Sequence, residues 1–289
     1  MKLYLECIPC FLRHTLFATK DQEEEIRATI LKKVVKFLYE VNWDISHDEI
    51  VNEIYNLIRE ETKIVDPYKD IKKESNNTVL KLYPLLKSQL STISNERERL
   101  YTAAKLSIAG NIIDFGPSSD FDLDKTINDV LNKKLAIDDF DILFNKILTY
   151  DNLLFFADNA GEIVFDKIFI EEMINVRKKP FSRIAFVVKG GPIINDAMLD
   201  DVYEVGIDKF PNITFYKLGN GMKDTGPNRK DKEVKDWIKN HDIVISKGQG
   251  NYEGLSENKN IFFMLISKCP VISKDLNVEI MDAIIKYNL

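Results

Sequence analysis

Residues Leu153–Asp166 read LLFFADNAGEIVFD. Four consecutive large apolar residues, Leu153–Phe156, predict a strand buried on both faces. The run stops at Ala157 and gives Asp158, Asn159, Ala160, Gly161 and Glu162 before a helical pattern, FDKIFIEEMINV, takes over. A carboxylate, a carboxamide and a second carboxylate therefore sit on a strand-to-helix turn. In open α/β sheets such turns gather at the carboxyl edge, where ligands bind. A helix cap accounts for Asp158 or Asn159 alone, but not for the pair plus Glu162.

Downstream, the same alternation repeats. Ile184–Val188, Ile213–Leu218, Ile243–Ser246 and either Ile261–Ile266 or Val271–Ile272 read as strands, with INDAMLDDVYEV and DKEVKDWIKNH between them as helices. This predicts a Rossmann-like α/β domain with a parallel sheet over residues 131–289. Each strand runs into a polar, glycine-containing loop: Lys189-Gly-Gly-Pro with Asn195 and Asp196, then Gly219-Asn-Gly, then Lys247-Gly-Gln-Gly-Asn251. Ten of the 12 glycines fall between Gly161 and Gly254, which concentrates close backbone approach at one sheet edge.

Upstream, residues 1–130 read as a helical bundle domain. Gln22–Glu40 carries apolar residues at helical spacing. Ser46 and Glu49 form a capping-box pattern before a further helix. Asp66-Pro67 marks a break, Tyr68–Leu90 reads as a helix or two interrupted at Pro84, and Asn95–Ile113 as another. Asn111 and Asp114 share a face at its end, with Gly116 as a cap. Ser118–Asp124 reads as a linker, and Thr126–Leu131 and Asp138–Leu148 as helices.

Composition narrows the function classes. The net charge of −6 argues against a nucleic-acid polymer as partner. No run of 18 apolar residues is present, so no membrane span is expected. The segment MKLYLECIPCFLRH lacks an apolar core of signal-peptide length, so a cytoplasmic location is expected. Three cysteines do not describe a disulfide scaffold. Cys7 and Cys10 form a C-x-x-C with His14 four residues on, which leaves open a second metal site, a redox pair or simple burial.

The loop residues suggest a chemistry. Asp158 and Asp196 offer hard carboxylate oxygens and Asn159 a carbonyl oxygen, a set suited to Mg²⁺ or Mn²⁺. Lys189 and Lys247 open two of the loops and supply positive charge for a phosphate. Gly248, Gly250 and Glu162 complete a candidate substrate site around them. Neither a P-loop nor a G-x-S-x-G elbow occurs, and Lys247–Gly254 does not fit G-x-G-x-x-G. His14, His47 and His241 all lie outside these loops, so acid–base work falls to carboxylates or to metal chemistry. The expected partner is a small phosphorylated metabolite. A non-catalytic sensor of a nucleotide or sugar phosphate is the alternative, although two carboxylates at the site would repel such a ligand in the absence of a metal.

Five stretches in order resemble the damage-control phosphatase family: Cys7-Ile-Pro-Cys10-Phe-Leu-Arg-His14, Gly110-Asn-Ile-Ile-Asp114-Phe-Gly116, Asp158-Asn-Ala-Gly-Glu162, Lys189-Gly-Gly-Pro-Ile-Ile-Asn-Asp196 and Lys247-Gly-Gln-Gly-Asn-Tyr-Glu253. The N-terminal C-x-x-C is similar to the branch common in archaea and some bacteria. The resemblance implies a metal-dependent phosphatase site between a helical and an α/β domain. By that resemblance Asp158, Asn159 and Asp196 bind the metal, and Asp158 and Lys247 are catalytic, with Lys247 on the phosphate and Asn251 nearby. Asn111 and Asp114 reach the substrate from the helical side. The implied cofactor is Mn²⁺ or Ni²⁺, with Mg²⁺ or Co²⁺ as substitutes, and the implied substrates are sugar phosphates, damaged nucleotides and related metabolites.

Overall fold

The apolar run at Leu153 forms an interior strand of a seven-stranded sheet. A computed structural model gives the fold and describes residues 3–112 and 133–289. The strands are β1 (Ile137–Asp138), β2 (Asn152–Phe156), β3 (Arg183–Lys189), β4 (Ile213–Leu218), β5 (Ile243–Lys247), β6 (Ile261–Ile266) and β7 (Ala283–Asn288). Their order is β1-β7-β6-β5-β2-β3-β4. Strands β2 to β6 pair in parallel, whereas β7 runs antiparallel to β6. The chain winds outward from β2 to β3 and β4, then returns to place β5 on the other side of β2. That reversal creates a switch point between β2 and β5, where such sheets open a crevice for ligands.

Strand β2 shows why its sequence is uniformly apolar. Leu153 and Phe155 enter one core, and Leu154 and Phe156 enter the core on the opposite face. Side chains alternate across a strand, so a strand covered on both sides needs an apolar residue at every position. One face is covered by α4 (Lys69–Ser91), α5 (Glu96–Ala109), α6 (Phe140–Thr149), α7 (Glu162–Arg177) and α8 (Leu199–Val205). The other is covered by α9 (Lys232–Lys239), α10 (Gln249–Leu255) and α11 (Pro270–Leu276).

The helical half does not pack as one bundle. Leu86 and Leu90 of α4 and Leu100 of α5 share a core with the sheet. Helices α1 (Cys7–Ala18), α2 (Glu24–Glu40) and α3 (His47–Thr62) instead hold a separate core around Phe11, Ile30, Val34 and Ile54. The expected boundary near residue 130, together with Ser118–Asp124 and Thr126–Leu131, lies outside the described residues. Helix α5 lies close on α7 at Gly110, where a Cβ would sit 2.8 Å from Phe165.

Local signals mostly resolve as their chemistry requires. Ser46 and Glu49 close a complete capping box on α3. Pro84 does not end α4, because buried Val79, Leu86 and Leu90 hold the helix on both sides of it. Val271–Ile272 is helix rather than strand, with Pro270 at the first helical position.

Candidate functional site

At the switch point the loop after β2 meets those after β3 and β5. The backbone N–H of Ala197 donates to the Asp158 carbonyl at 2.8 Å and that of Ala160 to the Asn195 carbonyl at 2.9 Å. Asn159 and Asp196 form an antiparallel bridge. Two loops separated by a strand are thus stitched together, which brings Asp158, Asn159 and Asp196 to one place. All three line a cavity of about 390 Å³, joined by Asn111, Lys189, Gly250 and Arg229.

Gly248 fixes how close Asp158 can come. Its φ of 78° lies in the left-handed region, and a Cβ there would fall 1.9 Å from the Asp158 Oδ2. Asn111 and Asn159 each donate to that carboxylate, at 2.7 and 2.9 Å, and to Glu162 Oε2, at 2.9 and 3.1 Å. Among the described residues the buried Asn111 Oδ1 has no hydrogen-bond partner. Asp114, expected beside it, lies outside the described residues.

Burial, followed by the neighbouring Glu162 and Asp196 charges, pushes the Asp158 carboxyl well above the usual carboxylate range. Burial also raises Asp196, against the opposing pull of Lys189 and Arg229. Lys189 faces Asp196 at 3.5 Å and is itself pushed down, by burial and then by Arg229. Two crowded, buried carboxylates thus lie beside a carbonyl oxygen that has no partner among the described residues.

The donor set fits a hard divalent ion held by few protein ligands. Asp158, Asp196, Asn159 and the Asn111 Oδ1 supply oxygen only, and such ions take one or two carboxylates and complete their shell from substrate and water. Among the described residues no three His, Cys, Asp or Glu side chains converge as a closed metal site. That includes Cys7, Cys10 and His14, which line the same cavity from α1. Burial raises both thiols above the ordinary cysteine range.

Lys247 departs from its expected place on the phosphate. It is fully buried beneath the cavity, and its Nζ donates to Glu162 at 2.6 Å, Asp166 at 2.8 Å and the Ser107 carbonyl at 2.9 Å. Three acceptors use its three protons. The cause is strand alternation: Ile243 and Ile245 face the α5–α7 core, so Lys247 follows them inward. Burial would lower this lysine, but Asp166 and Glu162 outweigh it and hold it at about 12. Glu162, 1% exposed, supports Asp158 from behind rather than facing the cavity. Asn251 is also buried, accepting from the Arg229 Nε at 2.8 Å and donating to the Ala157 carbonyl at 2.9 Å.

The cations that do face the cavity are Lys189 and Arg229, with Lys268 and Arg13 at its exposed rim. Arg229 is a site residue the sequence reading missed. It joins the two parts of the protein, donating to Asp48 of α3 at 2.7 Å. Burial would raise Asp48, but Arg229 and Lys189 hold it at about 2. No local pattern in Gly-Pro-Asn-Arg229 marked it. Asp166 was more legible, since it follows Glu162 at i, i+4 on a helix.

The sequence profile of the damage-control phosphatase ARMT1-like domain matches residues 3–284. A Pyrococcus horikoshii protein named a damage-control phosphatase is 32% identical over 290 residues, covering 96% of this chain and 95% of its own. An Archaeoglobus fulgidus protein of the same name is 28% identical over 298 residues, covering 99% of both. The crystal structure of a DUF89 family protein from Pyrococcus horikoshii has a TM-score of 0.84 at 28% identity and covers 100% of both chains.

Proposed function

Because this chain belongs to the damage-control phosphatase ARMT1-like family, we propose that it is a phosphatase whose activity depends on a divalent metal held by Asp158, Asn159 and Asp196, with the Asn111 Oδ1 as a further donor. The single observation that carries the reading is the meeting of Asp158, Asn159 and Asp196 in one cavity with the Asn111 Oδ1, which has no partner among the described residues. A divalent cation bound there would relieve the two carboxylates and the Asn111 oxygen at once. Oxygen-only ligation suits Mn²⁺, Ni²⁺, Mg²⁺ or Co²⁺. Such an ion, when bound, withdraws charge from a phosphoryl group and offsets the repulsion between that group and the two carboxylates.

The remaining work belongs to the protein. Lys189 and Arg229 face the cavity and bind the phosphate oxygens, stabilising charge that builds as the ester bond breaks. Arg229 is oriented by Asp48 and Asn251. Lys247 is a positioning residue: it pins Glu162, and through Glu162 the Asn111 and Asn159 amides that hold Asp158. Substrates are small phosphomonoesters such as sugar phosphates or damaged nucleotides. No helix among the described residues is long and apolar enough to cross a membrane, and the three free cysteines suit the reducing cytoplasm. The test is phosphate release from an aryl phosphate by chelated protein, with each metal returned in turn. Turnover that needs one of these ions supports the reading, and turnover unchanged by chelation overturns it.

A further inference from the structure

The fold brings to the cavity a histidine that lies outside the glycine loops in the sequence. His47 is the first residue of α3, and it lines the cavity together with Glu253 of α10. Its Nδ1 stands 3.2 Å from the Glu253 Oε2. The other Glu253 oxygen, Oε1, accepts from the Gln249 Nε2 at 3.2 Å. The Phe11 ring packs on the imidazole, with centroids 5.0 Å apart. A carboxylate at Nδ1 sets the tautomer and orientation of an imidazole, and Phe11 braces the ring from its other side.

This pair is the neighbour of the cation assigned to the phosphate. Asp48, the residue after His47, accepts from the Arg229 Nη1 at 2.7 Å. Arg229 lies against α10 itself: a Cβ on Gly254 would fall 2.2 Å from its Cδ, and its Nε donates to Asn251 at 2.8 Å. His47–Glu253 and Asp48–Arg229 are therefore adjacent links between the first turn of α3 and α10. One task in the reaction has no residue yet, which is to protonate the alcohol as it leaves. Lys247 is spent on Glu162 and Asp166 beneath the cavity. His241 is turned to the Trp237 carbonyl, 2.7 Å from its Nδ1, and does not line the cavity.

We infer that His47 is the general acid for the leaving alcohol and that Glu253 is its positioning residue. The assignment rests on the phosphatase reading, which puts the phosphate on Arg229. With Nδ1–H given to Glu253, the proton that moves is the one on Nε2. A water oxygen bonds to phosphorus while the ester P–O bond breaks. The ester oxygen keeps the electron pair of that bond, takes the Nε2 proton and leaves as a neutral alcohol. The attacking water gives up a proton to solvent, and the imidazole takes one back.

The experiment compares kcat/KM of Mn²⁺-loaded wild type, His47→Gln and Glu253→Gln on p-nitrophenyl phosphate and on a panel of hexose 6-phosphates. Nitrophenolate leaves without help from an acid, whereas a sugar alkoxide does not. His47→Gln is expected to lose about 100-fold on the sugar phosphates and less than about tenfold on the aryl ester. Glu253→Gln is expected to show the same selective loss by a smaller factor, because the imidazole stays but loses its hold, and it carries the comparison alone if His47→Gln does not fold. Equal losses on both ester types overturn the inference, since the pair then only shapes the cavity, and so does no loss on either. A wild type that turns over the aryl ester but none of the sugar phosphates also overturns it. If wild type hydrolyses neither ester with any of the metals, the phosphatase reading itself fails.

Discussion

Gly248 and Asp158 occupy space that only a glycine can share: a Cβ on residue 248 would stand 1.9 Å from Oδ2 and 2.2 Å from Cγ of the aspartate. The Gly248→Ala protein must either push the Asp158 carboxylate away or shift the loop after β5. The φ of 78° at this position adds backbone strain to the clash. Turnover is expected to fall by roughly 100-fold, the scale on which a displacement of about 1 Å costs an active site. Steady-state kinetics beside circular dichroism checks this, and a folded variant with normal kcat/KM contradicts it.

Lys247 and Lys189 should separate cleanly. Lys247 is shared by two fully buried carboxylates, so Lys247→Met leaves Glu162 and Asp166 uncompensated and should cost about 3–5 kcal/mol of stability. Lys189→Ala removes a cavity-facing cation and should act mainly on KM for the phosphate ester. Urea denaturation and kinetics on both variants read the difference. Stability loss confined to Lys189→Ala would reverse the two roles.

Glu172 offers a pH test away from the site. It accepts from Lys87 at 3.0 Å and from Arg99 at 2.9 Å, tying α4 and α5 to α7. Burial would raise its carboxyl, but Lys87 and the other donors win and hold it below the ordinary 4.5. A depressed folded value means the contribution is present above pH 4.5 and is lost as pH falls through the folded value. Glu172→Gln should therefore be less stable than wild type by about 1–3 kcal/mol at neutral pH, with the gap narrowing below pH 4.5. A gap that is constant into acid contradicts the ion-pair account.

How much of this was legible follows from what each residue has to do locally. Strands β2, β3 and β6 announce themselves because burial on both faces demands nearly unbroken apolar runs, whereas edge strand β4, ITFYKL, is only partly buried and mixes apolar with polar residues. The Ser46–Glu49 box is read from spacing, since capping is a local hydrogen-bond exchange. Strand β7 was missed: Ala283–Asn288 has only three apolar residues before Lys286 and no glycine loop after it, and it pairs antiparallel at the side of β6 away from the switch point. Lys247 was misplaced because a lysine after a strand usually seeks solvent. Its burial depends on Asp166 and Ser107, which are close only in the fold. Arg229 was invisible for the same reason, as its partners Asp48 and Asn251 lie 181 and 22 residues away.

The most direct measurement takes protein stripped by chelation and titrates Mn²⁺ while following both metal binding and phosphate release from an aryl phosphate. In wild type the two curves should rise together. In Asp158→Asn and Asp196→Asn, each still folded, binding should weaken at least tenfold and turnover should be lost, because each removes one of two carboxylates from a set with few protein ligands. Wild-type turnover at full rate without metal, or either variant matching wild type in both curves, would contradict the account at its centre.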